Sequence, residues 1–303
     1  MRKWLGLATL ALLLAGGAAC WMGDLDPDVN LSSASEVWAD VLRDADQLGL
    51  RFTRMSDARE MDLGNRLAEG LNTAGPADRA QSTYVAAVGA ALVPYLRRPA
   101  IRYNFHVLQS PEENAFALPG GQVFIFTGLL ADIHSEAELA YILGHEMSHV
   151  DLRHAVEIYQ NEAALERAGA PPLARIPEDV RRLVARGYSK FQEVEADAQG
   201  LRLCSQAGYD PEAGARLYRR FRPGSPRTAS ANPLDEAAGA ARDQLTSYFD
   251  THPPDAERIR RLEELARRDR RRLAGRPLYE GLENYQRQVP KSVQQFPDEF
   301  GKG

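Results

Sequence analysis

The chain has 303 residues, enough for one or two domains with a sizeable core, and its 44% apolar and 26% charged content is that of an ordinary globular protein. That composition excludes a disordered or low-complexity chain. The formal net charge of −5 leaves no basic excess, so nucleic acid is not an expected partner.

Residues 1–19 read as a secretory signal: Arg2 and Lys3, an apolar run from Leu5 to Leu14, then small residues. The apolar run is shorter than the ~20 residues a membrane span needs. It ends on Cys20 after "GGAA", which resembles a lipobox, with Gly17 where Leu is usual. Cys20 is therefore the expected lipidation site and membrane anchor, an ordinary cleaved signal being the plainer alternative. Trp21 after the cysteine favours, by resemblance to Gram-negative lipoprotein sorting, a periplasmic protein on the outer membrane. Residues 20–33 suit a tether. Cys204, the second cysteine, then stands alone and reads as a small buried side chain.

Residues 34–72 carry apolar positions at helical spacing, among them Val37, Val41, Leu63 and Leu67. A helix is expected over 77–97 after the Gly75-Pro76 break; its stretch "YVAAVGAALVPYL" contains Pro94 and reads as a core helix. Residues 34–99 thus form a helical lead-in to a core over 100–273. Strands are expected at 101–109 and 122–128, with "SPEENAFALPGG" as the loop between them. Ser135 and Glu138 have the spacing of a capping box, and start a long helix that runs through "LGHEMSHVDLRH", 143–154. "RAGAPPLARIPED" breaks the pattern as a loop beside the site. Helices follow at about 177–206, 211–221, 234–248 and 254–273, with a surface loop at 222–233. The segment 274–303 is a polar tail, expected to be loosely ordered from Val289.

His145 and His149 are four apart, so on a helix both imidazoles leave one face and can share a zinc ion. Glu146 is rotated ~100° from His145. This is H-E-x-x-H, in which the glutamate is the general base for water at the metal. A surface helix with incidental histidines is the bland alternative, but the flanking "AYILG" is apolar and buried imidazoles need partners. A third ligand is required. No histidine stands at +6 from His149, so a later glutamate is expected. In "SKFQEVEADAQG" (189–200), Glu193 and Asp197 share a helical face while Glu195 points elsewhere. Glu193 is the expected ligand, and Asp197 the acceptor that fixes the tautomer of a ligand histidine. A solvated acidic face is the bland alternative.

These segments, with "NAFALPGG" (114–121), "TGLL" (127–130) and "THPPDAERIRRL" (251–262), resemble the HtpX-type zinc metallopeptidases over about 100–265. Lys190 stands where that family commonly has Arg. The smaller secreted lipoprotein branch fits best, since no membrane-length span follows the signal. The resemblance implies an α+β, mostly helical fold: a zincin-like metalloprotease core with a small antiparallel sheet packed beside the H-E-x-x-H helix. It implies one Zn²⁺ per chain and a zinc endopeptidase acting on unfolded or misassembled envelope proteins, or alternatively a chaperone-like assembly factor with a largely latent site. It makes Gln122, Val123, Phe124, Ile125 and Phe126 an edge strand to which substrate adds. It brings His252 near the metal, as oxyanion donor or reversible fourth ligand. Arg153 and His154 are expected to orient the helix or pair with acids.

Overall fold

A computed structural model describes residues 55–69, 71, 79–167, 187–221, 248, 252, 253, 255–273, 276 and 278–301, residues 161–167 by backbone only. The chain divides into two compact units, Met1–Arg54 and Met55–Gly303, and every described residue belongs to the second. The signal-like segment, Cys20, the tether, the loop after Arg167, the 222–233 loop and all but the last residue of the 234–248 segment lie outside the described residues.

Among the described residues two helices come first, α1 (Asp57–Glu69) and α2 (Arg79–Ala90). Their buried positions, Leu63 with Leu67 and Tyr84 with Val88, recur at four-residue spacing, as an amphipathic helix requires. α2 stops short of the expected residue 97 because Pro94 lies in a 3₁₀ turn at Val93–Tyr95.

Three strands follow: β1 (Asn104–Leu108), β2 (Ala115–Leu118) and β3 (Gln122–Phe126). Their order is β1-β3-β2. β1 runs parallel to β3, with Asn104 opposite Gln122, and β2 runs antiparallel, with Ala115 opposite Ile125. Three expectations are corrected here. The sheet is mixed, not antiparallel. Part of the supposed loop 110–121 is strand β2. And Gln122, Val123, Phe124, Ile125 and Phe126 form the central strand, not an edge. The physical cause is the turn Pro119-Gly120-Gly121, whose glycines take φ of 75° and 93° and fold β2 back onto β3. That occupies the side of β3 left open by β1. Four residues, two of them Ala, gave β2 too little strand signal to be seen.

The sheet separates two apolar layers. Ala115, Ala117, Val123 and Ile125 face the main core. Phe116, Leu118 and Phe124 face the other way, against Leu63 and Leu67 of α1.

After the short α3 (Thr127–Asp132) comes α4 (Glu136–Asp151), all sixteen residues of which are buried. Ser135 caps it by accepting from the Glu138 backbone at 3.2 Å. The reciprocal half of the expected capping box is absent: the Glu138 carboxylate accepts instead from the His134 backbone at 2.9 Å and pairs with Arg220. α4 also ends before His154. Leu152 is its C-cap, Arg153 takes a left-handed φ of 71°, and α5 (His154–Arg167) starts anew.

α6 (Lys190–Gln206) begins with a reciprocal capping box between Ser189 and Gln192. It crosses α4 where two glycines meet. A Cβ on Gly200 would stand 3.0 Å from the His145 backbone nitrogen, and one on Gly144 3.3 Å from the Gly200 carbonyl. Only residues without side chains let the two backbones come this close.

α7 (Ala213–Arg220) and α8 (Ala256–Arg272) complete the helical layer. The C-terminal segment is β4 (Leu278–Tyr279), α9 (Leu282–Arg287) and β5 (Phe300–Gly301), the two strands pairing antiparallel. The tail from Val289 is packed where loose order was expected. The Lys291 backbone donates to the buried Glu136 carboxylate at 2.8 Å, and its ammonium lies 4.2 Å from the centre of the Tyr209 ring. No helix among the described residues is long and apolar enough to cross a membrane.

Candidate metal centre

One helical turn sets the first pair of side chains. His145 and His149 leave the same face of α4, and their Nε2 atoms are 3.1 Å apart. The Gly144–Gly200 crossing brings α6 alongside, and its first turn supplies Glu193. Glu193 Oε2 lies 3.4 Å from His145 Nε2, and Oε1 lies 3.7 Å from His149 Nε2. His252, just before α8, completes the group: its Nδ1 is 2.8 Å from Glu193 Oε1 and 3.3 Å from His145 Nε2. All four side chains are buried, and one donor atom from each lies within 4.8 Å of the others.

Asp197, one turn after Glu193, meets His145 from behind, with Oδ1 3.1 Å from Nδ1. The two carboxylates thus straddle His145, Glu193 beside Nε2 and Asp197 beside Nδ1. Arg258 of α8 grips Asp197 with two donors, Nε to Oδ2 and Nη2 to Oδ1, both at 2.8 Å. The Tyr141 and Tyr218 hydroxyls donate to the same Oδ1 at 2.9 Å. Burial works against the charge on Asp197, but Arg258 and His145 outweigh it and hold its carboxyl at about 2. For Glu193 burial is likewise overcome, chiefly by His252 and His145, which keep the carboxyl well below the usual range. Burial presses on both imidazoles of the helix. Asp197 and Glu193 nevertheless raise His145 to about 9, while burial and the charge on His145 push His149 well down.

Glu146 is fully buried next to the donor group, with Oε1 3.6 Å from His252 Nε2. Burial raises its carboxyl above the usual range; His252 and His145 counter this in part. Tyr188 lies flat on His149, ring centres 3.5 Å apart, and Tyr248 leans on His252 at 4.6 Å.

Two features test whether a metal ion fits. Donors held 2.0–2.2 Å from a tetrahedral zinc ion are spaced ~3.3 Å from one another. Five spacings in this group, taken over both Glu193 oxygens, run from 2.8 to 3.7 Å around that value, and the four donors lie within 4.8 Å of one another. Charge agrees as well. Among the described residues, Glu146, Glu193 and Asp197, when ionised, face only Arg258 as a permanent cation, and one divalent ion would balance the remainder. Among the described residues, both oxygens of Glu146, Oε2 of Glu193 and Nδ1 of His145 also lack an aligned hydrogen-bond partner, although Arg258 Nη2 lies 2.9 Å from Glu193 Oε2 and Asp197 Oδ1 lies 3.1 Å from His145 Nδ1 as ion-pair partners. Three imidazole nitrogens and one carboxylate oxygen fit zinc.

Sequence reasoning thus named His145, Glu146, His149, Glu193, Asp197 and His252, and the structure brings all six together. The central strand is different: Val123, Phe124 and Ile125 are buried, and the Gln122 amide is occupied by Asn65 and His106, at 2.8 Å each. Arg258, Tyr141, Tyr218, Tyr188 and Tyr248 went unnoticed. For Arg258 a signal existed. It falls four before Leu262 and eight before Ala266, on the apolar stripe of a helix whose other arginines are mostly exposed.

The chain is similar to several proteases. Mitochondrial metalloendopeptidase OMA1 of Schizosaccharomyces pombe is 30% identical over 200 residues, covering 62% of this chain and 54% of that protein. OMA1 of Arabidopsis thaliana is 32% identical over 169 residues, covering 54% and 31%. The beta-barrel assembly-enhancing protease of Escherichia coli is 28% identical over 178 residues, covering 52% and 37%. The chain spans about a third to a half of the length of these relatives. The family model described as peptidase family M48 matches residues 79–266, a span that holds both motif helices, His252 and Arg258, and the chain belongs to that family.

Proposed function

We propose that this chain is a zinc-dependent endopeptidase in which His145, His149 and Glu193 hold the ion and Glu146 is the general base. The observation that carries this is the convergence of three imidazole nitrogens and a carboxylate on one buried point with a fully buried glutamate beside it. A zinc ion held there would supply Lewis acidity to the scissile carbonyl and to the attacking water. Glu146 takes the proton from that water and passes it to the leaving nitrogen. Its burial suits this, because a carboxyl raised above the ordinary carboxylate range is a stronger base toward that water. Asp197, locked by Arg258 and two tyrosines, holds His145 with Nε2 turned inward.

His252 stands where a fourth ligand would stand, which supports a resting state closed by protein donors. A catalytic zinc would need a position for substrate or water, and in this reading His252 gives up its place during turnover. We take the polypeptides of the bacterial envelope, unfolded or misassembled, as the substrates. The signal-like N-terminus ending at Cys20 supports this, as does similarity to a protease whose name ties it to β-barrel assembly. A chaperone-like factor with a latent site is the second reading, favoured by the closed donor group itself.

The deciding experiment is cleavage of an unfolded protein such as casein, with metal analysis. Glu146→Gln is expected to keep one zinc per chain and lose at least about 100-fold in rate; retained cleavage would refute the base. His252→Ala is expected to keep zinc and cleave faster than the wild type. Equal or slower cleavage would remove the closing role from His252.

A further inference from the structure

Behind the edge of His149 turned away from the donor group stand, one after the other, two side chains that the proposed mechanism leaves unused. Its Nδ1 lies 3.1 Å from Nδ1 of His154, and Nε2 of His154 lies 3.3 Å from Oε2 of Glu195. His154 is buried, while Glu195 is half-buried at the surface of α6. Five residues along an unbroken helix is ~500° of rotation, which would set His149 and His154 on clearly different faces. They meet because α4 stops at Asp151 and Arg153 turns left-handed. That conformation is unfavourable for a residue with a side chain. It is held by the Arg153 guanidinium, which donates to Asp57 at 2.7 Å, to Glu60 at 3.3 Å and to the Met55 carbonyl at 3.0 Å.

We propose that His154 and Glu195 are positioning residues for His149, a hydrogen-bonded relay that fixes its tautomer and ring orientation; this rests on the reading of His149 as a metal ligand. An imidazole that offers Nε2 to a metal carries its hydrogen on Nδ1 and must donate it. His154 Nδ1 accepts that hydrogen, so the hydrogen of His154 sits on Nε2, where the Glu195 carboxylate accepts it. One half-buried carboxylate thereby sets the tautomer of two rings. α6 then acts on His149 from two sides, through Glu193 at Nε2 and through Glu195 behind His154. His145 differs, since Asp197 faces its Nδ1 directly.

The test is zinc affinity of the full chain by chelator competition, alongside nitrogen NMR of the histidine rings in the zinc-loaded protein. His154→Phe keeps a ring of similar shape but no acceptor. It is expected to bind zinc about 10–100-fold more weakly. His154→Asn places an oxygen near the position of Nδ1 and is expected to recover most of that loss, with His149 again protonated on Nδ1. A purely structural His154 would show no such rescue. Glu195→Ala, at a half-buried residue, guards against misfolding of the others and is expected to weaken zinc measurably. Wild-type affinity in both His154→Phe and Glu195→Ala would overturn the relay while leaving the metal site standing. A wild-type protein that takes up no zinc would overturn the metal reading and the relay with it.

Discussion

At the scale of single residues, the site depends on a buried charge that offsets two others. Arg258 is almost fully buried, and it touches Asp197 at 2.8 Å and Glu193 at 2.9 Å. Its guanidinium is raised above its usual pKa, burial notwithstanding, by Tyr218 and the Asp197 carboxylate, so it stays charged. Replacing it with Met keeps much of the stem but strands two buried carboxylates. Removing one partner of a buried ion pair costs about 3–5 kcal/mol. Arg258→Met is therefore expected to destabilise the metal-free protein by that order. Zinc should restore part of the loss, since it brings positive charge to Glu193. Urea unfolding with and without zinc measures this, and an equal deficit in both conditions would reduce Arg258 to a packing role.

At the scale of elements, the distance between α4 and α6 decides whether Glu193 reaches the histidines. That distance is set at Gly144 and Gly200, where an added Cβ would press on backbone. Gly200→Ala is expected to cost about 1–3 kcal/mol as an overpacking change. It should weaken zinc binding more than an exposed helix substitution of equal stability cost, because the shift opens the gap between Glu193 and His145. Chelator competition on both variants decides it; equal affinities would mean the helices adjust elsewhere. The same elements show what a sequence makes legible. His145–His149 and Glu193–Asp197 are i,i+4 pairs on single helices, so one-dimensional spacing already fixes their faces. The approach of α4 to α6 is not a spacing, and neither is the left-handed Arg153 that returns His154 to His149. β2 was hidden by its length and by alanine, and with it the central place of β3. His252 was reachable only through family resemblance, since nothing local in "THPP" marks it.

At the scale of the whole unit, the C-terminal segment braces the start of the helix that carries the motif. The Glu136 carboxylate, in the first turn of α4, accepts from Tyr209 at 2.7 Å, Tyr84 at 3.0 Å and the Lys291 backbone at 2.8 Å. Burial raises its pKa, and the Lys291 backbone is the largest influence holding it down. A chain ending at Pro290 loses that donor, the nearby ammonium and the β4–β5 pairing. Because the carboxyl is raised in the folded state, Glu136 favours folding most below its unfolded pKa and less as pH climbs through the folded value. Truncation raises it further, so the deficit of the shortened chain should widen from pH 4 to pH 7. The added loss at pH 7 is expected to be about 1–3 kcal/mol, that of a hydrogen bond to a charged group. The β4–β5 backbone pairing is present at both pH values, but the Glu299 carboxylate, which accepts from the Leu282 and Glu283 backbones, leaves with the tail, so the same truncation in Glu136→Gln, where the widening should vanish, assigns the change to Glu136. Thermal unfolding of full and shortened chains at the two pH values measures it. A deficit that stays constant across them would show that the tail stabilises by packing alone, with Glu136 indifferent to Lys291.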